Sequence, residues 1–263
     1  MMRRVATSQR AGLLSAAVVR LERLPSWAER SLLLAVVTGF YLLYIPINRY
    51  STQLEAYHPE TFIDRAIPST PGWMYVYAAV FITGFMPVLV VRPRSLFRRV
   101  AAAYALVQAV AFACFMLVPV HMQHRPLDMA VVDFPSWGQR LAYYLDTQAA
   151  CLPSIHVTLA VLAALCTWKA DRLAGAVGFV LAVLVATSTL MVKQHYLADV
   201  VAAAVVAGGA WVLVVMPWKP SREQRGPLHF PRWMPSLLLV PYGAVVLGLY
   251  LLYLAGWWPW LEG

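Results

Sequence analysis

The chain has 263 residues, 61% of them hydrophobic and only 13% charged, with a mean hydropathy of +0.64. That composition excludes a soluble globule and a disordered chain, and it suits a polytopic protein dissolved in a bilayer. The net charge of +9 points, in so apolar a chain, to basic loops held on the cytoplasmic side rather than to nucleic acid.

In chain order, residues 1–30 carry six arginines. Within them, 11–24 sets Arg20 and Arg23 on an apolar repeat ahead of Pro25, the pattern of a helix lying on the inner leaflet rather than of a cleaved signal peptide. Apolar runs follow near 31–48, 73–91, 101–120, 147–168, 173–192, 196–217 and 233–261. Each reaches or approaches the roughly 20 residues a helix needs to cross about 30 Å of hydrocarbon. The expected fold is therefore all-α, a polytopic transmembrane helix bundle with six core spans and a seventh. The seventh contains Pro241, Trp257, Trp258 and Trp260, which also suit a bent or interfacial course.

Of the 21 basic residues, 16 fall in segments 1–30, 92–99, 169–172 and 217–232, against Arg49, Arg65, Arg125, Arg140 and Lys193 in the alternate connections. This bias puts the N-terminus in the cytoplasm and the long polar loop 121–152 outside. The expected organisation is a cytoplasmic amphipathic segment over 1–30, a catalytic transmembrane bundle over 31–217, and an inner loop with a C-terminal span over 218–263.

The polar residues gather outside. Segment 49–72 holds Glu55, His58, Glu60, Asp64 and Arg65 and ends in a proline-rich run. Segment 121–154 holds His121, His124, Arg125, Asp128, Asp133, Arg140 and Asp146, and the third outer connection is a tight turn at Lys193 and Gln194. Asp128, Asp133 and Asp146 are too scattered for a metal cage and read as solvated surface. Cys114, Cys151 and Cys166 read as packing residues, and no metal-ligand spacing or phosphate loop is present in the sequence. No metal and no cofactor is expected.

His156 falls near the outer end of the fourth expected span and His195 at the outer start of the sixth, so two helices offer an imidazole at one face. Asp199 follows His195 by one helical turn, close enough to hydrogen-bond a ring nitrogen and leave the other free. A carboxylate inside a span is costly and marks function by default. Pro153, Ser154, Ile155 and His156 open a helix with a hydroxyl and unpaired N–H groups, a place for an anion. Lys193 and Arg125 add cations, and the set describes phosphoryl transfer. A proton-coupled transporter using the same three residues is the rival from another class, disfavoured because the polar groups lie at one interface and no broken helices appear. Gly208, Gly209 and the small residues of 202–207 read as a helix-packing face.

The stretch PSIH at 153–156 resembles the P-S-x-H motif of the type 2 phosphatidic acid phosphatase superfamily. Ser188, His195 and Asp199 fit that family's S-R-x-x-x-x-x-H-x-x-x-D motif, with Thr189 in place of the arginine. The first motif, K-x-x-x-x-x-x-R-P, is incomplete: Arg92-Pro93 has Phe85 at the lysine position and lies on the inner side, and Arg125-Pro126 has Val118. These departures, with KQHYLAD at 193–199 and FMLVPVHMQHRP at 115–126, resemble the branch of inositol phosphorylceramide synthases and their bacterial relatives. The resemblance covers roughly residues 60–210.

It implies that His195 attacks phosphorus and becomes phosphohistidine while Asp199 orients it and stabilises the imidazolium. His156 would protonate the departing alkoxide and then activate water or an acceptor alcohol, Ser154 would hold a nonbridging oxygen, and Lys193 and Arg125 would supply positive charge. The expected protein is an integral-membrane lipid phosphatase acting at the extracytoplasmic face. Transfer of a phospho-headgroup to a lipid alcohol, as in inositol phosphorylceramide synthase, is the alternative. Its partners would be a lipid substrate and the bilayer, and the Arg, Ala and Val bias suggests a bacterial inner membrane with the site facing the periplasm.

Overall fold

A computed structural model describes residues 27–219 and 236–261. The amphipathic segment at 11–24 and most of the expected inner loop after 217 lie outside the described residues. Within them helices are joined by loops and no strand is present, apart from one isolated parallel bridge between Tyr57 and Val120.

Helix α1 runs Trp27–Ser51 and a capped turn of helix, α2, spans Phe62–Ala66. The second expected span is not one helix, which removes the expected absence of broken helices as a ground against a transporter. After a 3-10 turn at Pro71–Trp73 it comes in pieces, α3 at Met74–Tyr77, α4 at Val80–Thr83 and α5 at Met86–Val90. Pro87, which has no N–H to give, sits in the first turn of α5. The Thr83 hydroxyl donates to Val80 O at 3.1 Å and competes with the ladder. The Gly84 carbonyl takes its hydrogen bond from the Tyr104 hydroxyl at 2.8 Å instead. Neighbouring helices thus satisfy backbone groups that the interruptions release, as a segment buried among spans requires.

Helix α6, Arg94–Leu117, buries Phe97, Val100, Tyr104, Val107, Ala111 and Phe115, spaced by three and four so that one stripe faces the core. Helix α7, Phe134–Leu145, is capped by Asp133, whose carboxylate accepts from Ser136 N at 2.8 Å. Helices α8, Ile155–Ala170, and α9, Arg172–Met191, form a tight hairpin hinged at Asp171, which ends the first and caps the second. Their approach requires glycine: a Cβ on Gly175 would lie 2.3 Å from Trp168 Cα, and one on Gly178 would lie 3.1 Å from Ala164 Cα. Helix α10, Leu197–Ala210, continues through a π turn at Trp211–Val215, and α11 is Ser236–Leu254.

Among the described residues, three helices are long and apolar enough to cross a membrane: Arg94–Leu117, Arg172–Met191 and Leu197–Val215. Leu173, Val180, Val183, Val205 and Leu213 on them are exposed, a belt consistent with an integral membrane protein. Two sequence expectations change here. Helix α8 starts at Ile155 rather than near 147, because residues 147–154 form a loop in which Gln148 O accepts from Met122 N and Cys151 N donates to Val120 O. The packing face of α10 is Ala203, Ala207 and Ala210, all buried; Gly208 and Gly209 have nothing within 4 Å of an added Cβ.

Candidate functional site

The site is made where α8 and α10 begin. Ser154 caps α8, its hydroxyl oxygen accepting from Val157 N at 3.4 Å, and its own N–H donates to Asp199 O at 3.2 Å. That last bond ties the start of α8 to α10 and fixes the height of His156 against His195. Between α9 and α10 the chain turns within five residues, 192–196. Val192 N reaches Ser188 O at 2.9 Å, Lys193 N reaches Leu190 O at 3.1 Å, and Gln194 N and His195 N converge on Thr189 O at 2.9 and 3.3 Å. Lys193 takes the left-handed conformation, φ 51°, that closes such a helix end. The hydroxyls of Ser188 and Thr189 turn back on their own helix, to Val185 O and Ala186 O.

Four side chains line up across this junction. The Asp199 carboxylate accepts from Tyr196 N at 2.9 Å and lies 3.4 Å from His195 Nδ1. The second distance is a close approach without the geometry of a formed hydrogen bond, and His195 Nδ1 and Asp199 Oδ1 are buried with no hydrogen-bond partner among the described residues. His195 Nε2 is 3.3 Å from His156 Nδ1, and His156 Nε2 is 3.0 Å from the Tyr77 hydroxyl. Asp199 is fully buried and His195 is 5% exposed, while His156 is half-buried, so the acid lies deepest.

Arg125 acts on His156, and Lys193 is held by Asp64. The Arg125 guanidinium donates to Asp146 O at 2.7 Å and to Gln194 Oε1, and it lies over the Tyr143 ring at 5.1 Å. Its Nε is buried with no hydrogen-bond partner among the described residues, and its charge acts on His156. Lys193 Nζ donates instead to Asp64 O at 2.8 Å. Burial pushes the Lys193 ammonium down, opposed by the charges of Asp64 and Glu60. Burial would raise the Asp64 carboxyl, but hydrogen bonds from Thr61 and Leu197, with Lys193 nearby, hold it below the usual carboxylate range.

Sequence reasoning missed Tyr77, an unremarkable tyrosine in an apolar run, which the broken segment delivers to His156. It noticed Gln194 only as a polar neighbour. Gln194 is buried, and because a guanidinium only donates, Oε1 must face Arg125 and Nε2 must face away, where it has no hydrogen-bond partner. It also read Asp146 as solvated surface, whereas Asp146 accepts from the Tyr44 hydroxyl at 2.6 Å and from Asn48 Nδ2 at 3.2 Å, anchoring α1 to the loop. Burial raises its carboxyl and Arg125 opposes that shift. Asp128 and Asp133 are exposed as expected. Cys151 packs at the site: its thiol points to Gln148 O at 3.2 Å, and its sulfur lies within 4.8 Å of ligand atoms of His195 and Asp199.

The geometry has a chemical direction. A carboxylate can only accept, so its neighbour His195 Nδ1 carries the proton and Nε2 presents a lone pair. The result is a nucleophilic nitrogen facing a second imidazole, with a buried acid behind and an arginine beside, an arrangement suited to a developing negative charge at phosphorus.

A model of the PAP2 superfamily matches residues 65–213, a stretch that contains every residue of this constellation. No curated protein and no solved structure matches the chain.

Proposed function

The chain belongs to the PAP2 superfamily, and from that premise we propose that it is an integral-membrane lipid phosphatase working through a phosphohistidine. The observation that carries this reading is the 3.3 Å approach of His156 Nδ1 to His195 Nε2, with Asp199 behind the second ring. His195 Nε2 attacks phosphorus as the bond to the lipid alkoxide breaks, and His156 protonates the departing oxygen. Water, deprotonated by His156, then releases phosphate. Asp199 stabilises the imidazolium of the intermediate, and Arg125 meets the charge that grows on the nonbridging oxygens. Gln194 Nε2 is a further donor for those oxygens, filling part of the gap left by Thr189. Lys193 acts at a distance, by pinning the turn to Asp64. A phosphoryl group cannot enter between nitrogens 3.3 Å apart, so substrate must part the two rings.

In this reading α1, the broken segment 71–90, α6, α8, α9 and α10 are the six core spans, α11 is the seventh, the N-terminus is cytoplasmic and the site faces the extracytoplasmic side of a bacterial inner membrane. A scissile phosphate in a lipid headgroup sits at the depth where such helices begin. Transfer of the phospho-headgroup to a lipid alcohol shares the first half-reaction and differs only in what intercepts the phosphohistidine.

The test is phosphate release from a panel of lipid phosphomonoesters by detergent-purified protein, with product lipids identified by mass spectrometry with and without a lipid alcohol. Free phosphate and dephosphorylated lipid are expected, and both should vanish in His195→Ala. A phosphodiester product that appears only with the alcohol would replace hydrolysis by transfer, and turnover retained in His195→Ala would remove the nucleophile.

A further inference from the structure

We infer that Tyr77 is the proton reservoir and positioning residue of His156, relaying its phenolic proton through the imidazole to the leaving group. The inference rests on the phosphoryl-transfer reading and deepens it. Its basis is the direction that Asp199 imposes on the chain of contacts. With the proton of His195 on Nδ1, its Nε2 can only accept, so His156 Nδ1, 3.3 Å away, must donate. The other nitrogen of a neutral His156, Nε2, is then a lone pair, and the Tyr77 hydroxyl at 3.0 Å must donate to it. Three contacts therefore point one way, from phenol to imidazole to imidazole to carboxylate.

The consequence concerns general acid catalysis. A neutral imidazole cannot surrender its single N–H proton without becoming an anion, unless the other nitrogen is protonated as the first lets go. Tyr77 stands where that second proton is needed. As the His195 Nε2–P bond forms, the P–O electron pair passes to the lipid alkoxide. That oxygen takes the Nδ1 proton of His156, and Nε2 takes the phenolic proton, leaving a neutral imidazole of the opposite tautomer and a phenolate. In the second half-reaction water attacks phosphorus and the N–P bond breaks; the water proton goes to Nδ1 and the Nε2 proton returns to Tyr77. Nothing but lipid phosphate and water is consumed.

The surroundings define which groups a pH profile must be read against. His195 and Arg125 act on His156, and Tyr77 acts on Tyr44 of α1. Helix α7, packed on α3, carries Arg140, Tyr143 and Tyr144, α3 itself carries Tyr75, and α9 has no titratable residue after Arg172 at its start.

The experiment compares purified full-length wild type and Tyr77→Phe across pH on two substrates, phosphatidic acid and p-nitrophenyl phosphate. The alkoxide of the first needs a proton to leave and the nitrophenolate of the second does not. For phosphatidic acid, Tyr77→Phe should lower kcat by about 10²-fold above neutrality, within the range of general acid catalysis, with KM little changed. The alkaline limb of its profile should retreat from where phenols titrate towards where imidazoles do. For p-nitrophenyl phosphate the burst of nitrophenolate, which reports the first half-reaction alone, should stay within about threefold of wild type in rate, since little proton transfer is required there; this also shows that the variant is folded. Equal losses on both substrates, or an unmoved alkaline limb, would overturn the relay. If wild type hydrolyses neither substrate nor any lipid phosphate, the failure lies with the phosphoryl-transfer reading itself.

Discussion

Two regions bring histidine partners to the site, and they do so by opposite means. The junction of α8 with the turn before α10 is regular: a serine cap, a five-residue turn closed by backbone bonds, and a histidine and aspartate one turn apart. The segment 71–90 is irregular, three short helices whose released backbone groups are satisfied from outside, and it contributes Tyr77. Regular structure fixes the nucleophile by register, so a sequence motif can encode it. Broken structure fixes its contribution by packing, which leaves no local spacing to read.

The contrast can be broken from either side. The largest effect after loss of the nucleophile is expected for Asp199→Asn. An amide cannot stabilise the His195 imidazolium and can donate towards Nδ1, so kcat should fall by about 10²- to 10⁴-fold with substrate affinity little affected, measured by steady-state kinetics. A defect confined to KM would contradict the assigned role. Next is Gly175→Ala, which adds a methyl 2.3 Å from Trp168 Cα. Overpacking of the α8–α9 hairpin should cost about 1–3 kcal/mol, seen as a lower midpoint of thermal unfolding in detergent.

Tyr104→Phe tests the irregular side. Removing the donor to Gly84 O leaves a buried carbonyl unpaired and should destabilise by about 1–3 kcal/mol. If the broken segment positions Tyr77, kcat on phosphatidic acid should drop as well, while Gly175→Ala should spare kcat per folded molecule. The smallest effect is expected for Asp64→Asn. The folded carboxyl of Asp64 titrates below its ordinary value, so its stabilisation is present at neutral pH and lost as the pH falls through the folded value. Wild type should therefore exceed the variant in thermal stability at pH 7, and the two should converge in acid, below about pH 4.

The convergence of three side chains was legible because they ride on regular elements. His156, His195 and Asp199 meet as the helix-start and one-turn spacings imply. The direction of Lys193 could not be read, because proximity in sequence to His195 does not give it: the backbone there is left-handed and the side chain donates to Asp64 O. Asp146 looked like surface because its partners, Tyr44 and Asn48, come from about a hundred residues earlier in the chain. The second apolar run has the length of a span, and hydropathy alone could not show that Thr83, Gly84 and Pro87 divide it. The small-residue face of α10 was read correctly in kind but shifted, since only packing distinguishes Ala203 and Ala207 from the glycines that follow.

The central claim is that His195 Nε2 forms a bond to phosphorus. Brief reaction with phosphatidic acid carrying a labelled phosphate, followed by alkaline quench and peptide mapping, tests it directly. The account predicts base-stable, acid-labile label on the peptide containing His195, absent from His195→Ala and from the peptide containing His156. Turnover with no protein-bound label under conditions that trap early intermediates, or label that survives in His195→Ala, would contradict it.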